Sequence, residues 1–475
     1  MHATRPFHAR LAPLALALGL AFTAAPLLAQ SPVTTYEYDA VGNRSKVTAP
    51  LSRITLMGYD ALNRLKQTTD PAGSVVQMGY DALDRLISVT DPRSLVTSYQ
   101  YNGLGQLLSQ SSPDTGTTQS VYDAAGNLTS RSDAKGQTTT YQYDALNRVT
   151  LVTHADGSQV RTTYDQGSYG IGRVRLIEEL TGGNVTASIQ YAYDALGRTT
   201  SEARTLAGVV HTTTYGYANG RLASVTYPSG RRIDYTHDAL GRISQIQLTD
   251  NGQVKVLASA IQYQPFGGVK SFTNGANQTH TRSFDQDGRI ASYSLGGQTW
   301  LVGYDAASRI AFQTDAGNAA NTASYGYDAA DRLTGAVLPA TTLSYAYDAT
   351  GNRTSQTVGG TTRTYTTSPT SNRLTAIDSG PARSYTFDAN GSITGDGQST
   401  FGYDARGRMT STVTAAGTTQ YRVNALGQRV RKTNATEDIL YSYDREGRLL
   451  AESTPQGQIL REYVYLYDTL IGVVR

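Results

Sequence analysis

Tyrosine recurs along the first part of this 475-residue chain at a constant spacing of 21 residues. The regular series occupies positions 38, 59, 80, 101, 122, 143 and 164. Further copies follow at spacings of mostly 20 to 26, marked by positions 193, 217, 237, 263, 284, 304, 327, 347, 387, 403, 423 and 443. A period of this length is typical of repeat architectures, in which one small unit is stacked many times. The sequence therefore predicts regular repeats over 36–165 and looser repeats over 186–467.

Each copy predicts a β-hairpin. In YDALNRL (59–65), Asp60 suits the first position of a type I turn, because its carboxylate accepts backbone N–H bonds. Asn63 would hold the left-handed corner, as Gly or Asp does in other copies, and Arg64 would pair with Asp60 across the loop. Ser168, Ser308 and Ser371 suit that corner less well. The turn residues assigned in this way are Asp60, Asn63, Arg64, Asp81, Asp84, Arg85, Asp144, Asn147, Arg148, Asp194, Gly197 and Arg198.

A second turn separates successive copies, as in DPAG at 70–73 and DAKG at 133–136. The two turns leave strands of about seven residues, an ordinary strand length. Tyrosines two residues apart share one face of a strand, so pairs of them are expected to form aromatic ladders and a possible ligand face. These pairs include Tyr36 with Tyr38, Tyr141 with Tyr143 and Tyr345 with Tyr347. Since neither strand face is strongly apolar, we predict an all-β coiled ribbon around a large, solvated interior.

Composition agrees with β-structure rich in turns. The chain has 33 Tyr, eight Phe, one Trp and 47 Gly, and only 17% of its residues are charged. It has no Cys, so a disulfide framework is excluded and stability must come from the sheet itself.

Residues 1–29 have the pattern of a secretory signal peptide. Arg5 and Arg10 precede an apolar run that ends in small residues, and cleavage is predicted between Ala29 and Gln30, with Ala25 as second choice. A membrane anchor is the alternative, although no Cys follows the run to carry a lipid. Removing the two arginines from 41 basic residues leaves 39 against 38 acidic ones. We therefore expect an exported chain (30–475; secreted, cell-surface or periplasmic) without stable membrane insertion or nucleic-acid binding.

Catalytic and metal-binding motifs are missing from the sequence. It contains no G-x-S-x-G elbow, no phosphate-binding loop and no H-E-x-x-H zinc site. Glu178 and Glu179 form an acidic doublet outside the repeats, which we assign to a solvated loop or distorted hairpin. The histidines, whose spacing matches no metal site, are expected to be ordinary strand or turn residues: His154, His211, His237 and His280. We predict no catalytic residue and no cofactor.

The copies YDALNRL, YDALGRT, YDAAGNLTS, YDATGNRTS and YDREGRLL resemble the YD repeats of the RHS (rearrangement hotspot) family, over roughly 36–467. The resemblance implies a β-ribbon that spirals into a hollow shell. Bacterial members often enclose a C-terminal toxin, and related animal proteins, the teneurins, use such a shell in cell adhesion. Bacterial members usually continue past a segment like REYVYLYDTLIGVVR into a DHLGTPR core motif and an effector, whereas this chain ends at Arg475.

The resemblance leads to a functional hypothesis with one alternative. We expect an exported, non-enzymatic shell segment, part or remnant of a polymorphic toxin or cell-surface system. It would lack the core motif and effector, as a truncated gene product, a fragment or a stand-alone partial shell. Its partners would be a C-terminal effector or the missing half of a shell. The alternative is a surface adhesin that binds cell-surface glycans through its tyrosine ladders.

Overall fold

The structure, a computed structural model, describes residues 33–475 with the exception of Phe266. Within that range the chain forms 43 β-strands, and the one helical segment is a 3-10 turn at Pro50–Ser52. The first strands are β1 Thr35–Tyr38, β2 Arg44–Ala49, β3 Arg53–Tyr59, β4 Leu65–Thr69, β5 Val75–Tyr80, β6 Leu86–Thr90, β7 Val96–Tyr101, β8 Leu107–Ser112, β9 Gly116–Tyr122, β10 Leu128–Ser132, β11 Thr138–Tyr143, β12 Val149–Thr153, β13 Gln159–Tyr164, β14 Val174–Thr181 and β15 Asn184–Tyr193.

The middle strands are β16 Thr199–Leu206, β17 Val209–Ala218, β18 Arg221–Thr226, β19 Arg232–His237, β20 Ile243–Asp250, β21 Gln253–Tyr263, β22 Val269–Asn274, β23 Thr279–Phe284, β24 Ile290–Leu295, β25 Gln298–Tyr304, β26 Ile310–Asp315, β27 Asn318–Tyr327, β28 Leu333–Leu338, β29 Thr341–Tyr347 and β30 Arg353–Val358. The last are β31 Thr361–Thr367, β32 Leu374–Ile377, β33 Arg383–Ser384, β34 Thr386–Phe387, β35 Ile393–Gly395, β36 Thr400–Tyr403, β37 Met409–Thr414, β38 Gly417–Val423, β39 Arg429–Thr433, β40 Asp438–Tyr443, β41 Leu449–Ser453, β42 Ile459–Leu466 and β43 Thr469–Val474.

The topology is a meander. Each strand pairs antiparallel with the next one in the chain, from β1 with β2 to β42 with β43, except that β33 and β34 are separate. This break divides the ribbon into a 33-stranded and a 10-stranded sheet. The ribbon does not close into a barrel. Most connections are turns of a few residues, and the one between β13 and β14 is longer (165–173). Contacts within the ribbon are therefore local, and distant parts of the chain meet where the ribbon coils back on itself.

The turn chemistry predicted from YDALNRL is present. Asp60 N–H donates to the Arg64 carbonyl (3.0 Å), and Asn63 N–H donates to the Asp60 carbonyl (3.0 Å). Asn63 is left-handed, with φ of 62°. The turns between copies use the same geometry, since Asp70 N–H donates to the Ser74 carbonyl at 2.9 Å. Asp, Asn and Gly thus recur at both ends of the strands because each end needs an N–H acceptor and a left-handed corner.

Burial is concentrated in one part of the ribbon, which differs from the wet interior that we expected throughout. No side chain of residues 33–164 is buried, whereas β17–β22 pack against β41–β43 around a dry core. The buried members of that core are Tyr215, Val225, Tyr227, Ile233, Ile246, Leu248, Ala258, Ile261, Phe272, Leu450, Val464 and Leu466. β20 reads ISQIQLTD and alternates aliphatic with polar residues, while β11 reads TTTYQY. Two layers with such aliphatic faces exclude water when they meet.

The predicted fold class is confirmed for the described residues: an all-β ribbon of antiparallel hairpins. The predicted signal peptide, with Ala29 and Gln30, lies outside those residues. No helix in the described range is long and apolar enough to cross a membrane.

Substitutions in the dry core test this arrangement. Ile246 is fully buried, so Ile246→Ala should lower the free energy of unfolding by about 2–5 kcal/mol through lost burial and a residual cavity. Leu104 lies at a turn with 82% of its surface exposed, and Leu104→Ala should change stability by about 0.5 kcal/mol or less. Urea unfolding followed by circular dichroism compares the two variants. Equal destabilisation would contradict the two-layer core.

Candidate functional site

Each hairpin is tied to the next by a group of side chains that we call the clasp. In the first full example, Arg64 Nε donates to Asp60 Oδ2 at 2.7 Å. Arg64 Nη1 reaches the next hairpin, where it donates to the Asp81 carbonyl and to Asp84 Oδ1, each at 2.8 Å. The guanidinium carbon lies 5.0 Å from the centroid of the Tyr80 ring. One arginine therefore closes its own turn and holds the following one through hydrogen bonds, charge and a cation–π contact.

The repeat tyrosine completes the clasp from the other side. Tyr80 Oη donates to the Leu65 carbonyl at 2.9 Å, and its ring lies across the preceding hairpin. The same bond, to a carbonyl 15 residues earlier, is made by Tyr59, Tyr80, Tyr101, Tyr122, Tyr143 and Tyr164. A constant separation in sequence therefore gives a constant contact in space, which explains why tyrosine is used in place of phenylalanine.

The predicted turn residues all lie in these turns. The carboxylates of Asp60, Asp81, Asp144 and Asp194 each accept from the arginine four residues later, with Nε–Oδ2 distances of 2.7 Å. Those arginines lie over the next tyrosine ring, as Arg148 does at 4.3 Å from Tyr164 and Arg198 at 4.3 Å from Tyr217. The left-handed corners are Asn63, Asp84, Asn147 and Gly197. The hydrogen bond from Arg64 holds the pKa of Asp60 below its ordinary value, so the clasp stays ionised.

Copies with GN in place of GR change the clasp. Asn127 Nδ2 donates to Asp123 Oδ2 at 3.1 Å and to Asn147 Oδ1 at 3.0 Å, but an amide is too short to cover the Tyr143 ring. Of the six tyrosines proposed as a ligand face, three have an arginine over the ring: Tyr36, Tyr345 and Tyr347. In the described structure no guanidinium covers the other three: Tyr38, Tyr141 and Tyr143. Arginines thus lie between tyrosine rings in some copies, as Arg353 does between Tyr345 and Tyr365.

A seam forms where the ribbon coils back on itself. Side chains 204 to 281 residues apart in sequence meet there. In the first part of the chain, Asp91 and Asp133 of the turns between copies contact Asn372 and Asn390 of later turns. The pairs include Arg53 with Asp331, Arg93 with Ser371, Asn390 with Asp133, Arg422 with Thr186, His211 with Ser442 and Ser229 with Glu462. Polar contacts therefore hold successive coils of the ribbon together.

The degenerate repeat copy at 367–374 supplies the densest polar contact of the seam. Arg93 donates to the carbonyls of Ser371 (2.8 Å) and Ser368 (2.7 Å). Asn372 donates from its backbone to Asp114 Oδ1 (2.6 Å) and from its side chain to Asp91 Oδ2 (2.8 Å). The turn of this copy thus binds another coil of the ribbon as well as its neighbouring hairpin.

Two family models match the chain. The RHS repeat model matches residues 38–75, 59–94, 80–117, 122–165 and 216–254, and the teneurin YD-shell model matches residues 337–468. This chain belongs to the RHS/YD-repeat family. No curated protein sequence matches it.

Solved structures share the fold of this YD-repeat ribbon. The crystal structure of TcdB2-TccC3-TEV has a TM-score of 0.70 at 16% identity, over 93% of this chain and 31% of that one. The Photorhabdus luminescens Tc holotoxin pore, with a TccC3-D651A mutation, has a TM-score of 0.55 at 15% identity, over 92% and 32% of the two chains. The chain thus spans about a third of the length of these proteins.

The acidic doublet of the YD-repeat chain lies in strand β14, whose register with β15 shifts between Glu179 and Leu180. Of our two expectations for Glu178 and Glu179, the distorted hairpin agrees with the structure and the solvated loop was wrong. Glu179 is only 8% exposed, and its Oε1 accepts from the Ala425 N–H at 2.9 Å across the seam. Glu178 pairs with Arg161 on the neighbouring strand at 2.8 Å. Strand pairing and seam contacts, which the sequence pattern did not show, account for both carboxylates.

Two histidines of the YD-repeat ribbon lie at the seam. His211 is buried and its Nδ1 is hydrogen-bonded to Ser442 Oγ at 2.8 Å, while its Nε2 has no partner. Neither ring nitrogen of His154 has a partner. Burial lowers the pKa of both imidazoles, and Arg406 lowers that of His154 further, against the opposing charges of Asp156 and Asp404. Burial at the seam therefore favours the neutral form of both side chains.

Sequence reasoning missed most of the seam. Glu462 is a strand residue with no repeat role, yet it is 1% exposed and its carboxylate accepts from Ser229 Oγ at 2.7 Å and from Arg231 at 3.3 Å. The one available signal was loss of consensus, as at 367–374. Among the described residues no group of three or more His, Cys, Asp or Glu side chains could hold a metal ion.

Removing one clasp should loosen its two hairpins locally. Arg309 Nε donates to Asp305 (2.7 Å), Nη1 donates to the Asp328 carbonyl (3.0 Å), and the guanidinium lies 4.7 Å from the Tyr327 ring. We expect Arg309→Gln to speed amide hydrogen exchange in β26 and β27 by about fivefold while distant strands keep their protection.

Arg232→Gln is the matched control for the clasp, because Arg232 is exposed and pairs only with Asp234 of its own strand. It should leave exchange nearly unchanged. Equal effects of the two substitutions would mean that the clasp does not couple neighbouring hairpins.

Acid should weaken the seam through His154 and His211. Imidazoles titrate near 6.5 in an unfolded chain, and both folded pKa values are lower, so unfolding takes up protons. The contribution of the two neutral imidazoles to stability is therefore fully present above about pH 6.5. It declines as the pH falls toward their pKa values in the folded protein. Carboxylates such as Asp60 titrate below this window, and burial raises the pKa of Glu202, which acts in the opposite direction.

Thermal unfolding at pH 7.5 and 5.5 measures this effect. On acidification, the melting temperature of the unsubstituted protein should fall by roughly 2–4 °C more than that of the double variant His154→Gln/His211→Gln. Glu202 is present in both proteins, so its contribution cancels. Equal losses in the two proteins would exclude the histidines as the cause.

Proposed function

We propose that this chain is an exported, non-enzymatic YD-shell segment, a wall element of a polymorphic toxin or cell-surface system. The observation that supports it most is the clasp, because it repeats along the ribbon and uses the polar side chains for structure. The fold shared with TcdB2-TccC3-TEV over 93% of this chain is consistent with this role.

The chemistry of the side chains argues for a wall rather than an enzyme. Asp and Arg, the residue types most suited to acid–base catalysis or anion binding in this sequence, are paired with each other in the turns. Glu179 and Glu462 are paired at the seam. A carboxylate held by fixed partners is poorly placed to transfer protons to a substrate.

The free strand edges suggest the kind of partner. Among the described residues β1 pairs only with β2, and all of Thr35–Tyr38 is exposed. At the other end β43 pairs only with β42. Unpaired edges are templates for further strands. They support our proposal that the segment works with a C-terminal effector or with the other half of a shell.

Glycan binding at a cell surface is the second candidate function. The observation that favours it is that Tyr38, Tyr141 and Tyr143 have no arginine over their rings. An open aromatic face can stack on a pyranose ring, whereas Tyr345 and Tyr347 are already covered.

The exported part of the proposal can be tested directly. Full-length protein expressed in a Gram-negative host should leave the cytoplasm and begin at Gln30, as measured by N-terminal sequencing after fractionation. Ala29→Tyr should block cleavage and leave a longer, membrane-associated precursor. Cytoplasmic protein that retains Met1 would overturn export, and hydrolysis of a polysaccharide by the purified mature chain would overturn the non-enzymatic role.

The coding sequence beyond codon 475 tests the toxin part of the proposal separately. A continuation that encodes a DHLGTPR-like motif and an effector, in frame or behind a stop codon or frameshift, would support it. Unrelated sequence in that position would contradict it and leave a stand-alone wall protein.

A further inference from the structure

A polar cleft of about 490 Å³ opens at the seam, which is within the range of ordinary ligand sites. We call it the seam cleft. Its floor is the face of β8–β11, and its far wall is formed by the later turns at Asn390 and 405–407. The floor and wall are more than 240 residues apart in sequence, so the cleft exists only because the ribbon coils.

The strand register builds the floor from one set of side chains. Gln110 is opposite Thr118, and Arg131 is opposite Thr139. Tyr141 follows two residues after Thr139 and therefore lies on the same face. Paired strands thus place two hydroxyls, an amide, a guanidinium and an aromatic ring side by side.

Many of the polar groups that line the seam cleft lack hydrogen-bond partners. In the described structure Gln110, Arg131 and the Tyr141 hydroxyl have no side-chain hydrogen-bond partner. Gln137 Oε1, Asn390 Oδ1 and both nitrogens of His154, which also line the cleft, are buried without a partner. Each such buried atom is unfavourable while it stays unpaired, because it has given up its hydrogen bonds to water. A ligand rich in both hydrogen-bond donors and acceptors would complement this set.

We propose that the seam cleft binds a saccharide, with the Tyr141 ring as stacking platform and Arg131 as the partner of a sugar carboxylate. Tyr141 is suited to stacking because no guanidinium covers it. Amides and hydroxyls supply the donors and acceptors that sugar hydroxyls need, and a guanidinium binds a carboxylate through two parallel hydrogen bonds. The proposal makes the glycan-binding candidate specific and does not depend on the shell role.

A peptide suits the cleft less well. Extended peptides bind by adding a strand to a free sheet edge, but β8, β9, β10 and β11 are each paired on both sides. The cleft offers strand faces and side chains instead of backbone groups. These favour a ligand recognised through its hydroxyls and ring faces.

Calorimetric titration of the mature chain with trigalacturonate and with neutral cellotriose tests the proposal. Trigalacturonate should bind saturably and more tightly than cellotriose. Tyr141→Ala should weaken binding of the acidic sugar roughly tenfold or more, about 1.4 kcal/mol. Arg131→Gln should remove the preference for the acidic sugar and leave neutral binding unchanged. Unaltered melting temperatures would show that both variants remain folded.

Tyr345→Ala is the matched control, because Tyr345 occupies the same repeat position as Tyr141 but lies outside the cleft. It should leave binding unchanged. Three results would overturn the proposal: no saturable binding of either sugar, an equal loss in Tyr345→Ala, or binding of an unfolded peptide at the cleft without binding of sugar. Any of these would leave the shell function intact.

Discussion

The arginine that bridges two hairpins is the interaction on which the ribbon depends. A two-stranded hairpin is marginal in water, because it buries too little apolar surface to offset the entropy of ordering its chain. Over residues 33–164 no side chain is buried, so hydrophobic burial alone cannot order those strands. Arg64 supplies the missing coupling, since it bonds to Asp60 in its own turn and to Asp81 and Asp84 in the next, with the Tyr80 ring beneath it. Repeating this unit makes each hairpin a support for its neighbour.

Coiling adds contacts that the local unit cannot make. At the seam, turns separated by more than 200 residues exchange hydrogen bonds, and β41–β43 cover β17–β22 to form the dry core. The first part of the ribbon is thus polar and meets later coils through side-chain hydrogen bonds, whereas β17–β22 and β41–β43 share an apolar core. The seam cleft lies near the polar beginning, where the coils meet through side chains and leave space between them. Its free polar groups and uncovered tyrosine make it the part of the ribbon best suited to hold a ligand.

Much of the local structure was predictable, for identifiable reasons. The hairpins, the left-handed corners at Asn63 and Asp84 and the pairing of Asp60 with Arg64 follow from interactions within five residues of the chain. The reach of Arg64 into the next hairpin was not predicted, because it depends on how neighbouring hairpins stack. The irregular hairpin at Glu179 was among our expectations, but the burial of Glu179 was not, because its carboxylate accepts from the Ala425 N–H across the seam.

The amino-acid sequence alone determined the repeating hairpin and the all-β class. Turn chemistry and strand alternation act between residues close in the chain, and they recur with the 21-residue period. The tertiary structure decided which copies meet across the seam, where water is excluded and which tyrosines remain uncovered. These depend on the accumulated twist of more than ten hairpins, and small rotations at each one add up to a placement that no single repeat specifies. Tyr141 and Tyr345 have the same position in the repeat, yet coiling places Tyr141 in the seam cleft. Arg353 covers the Tyr345 ring, whereas the residue at the corresponding position after Tyr141 is Val149.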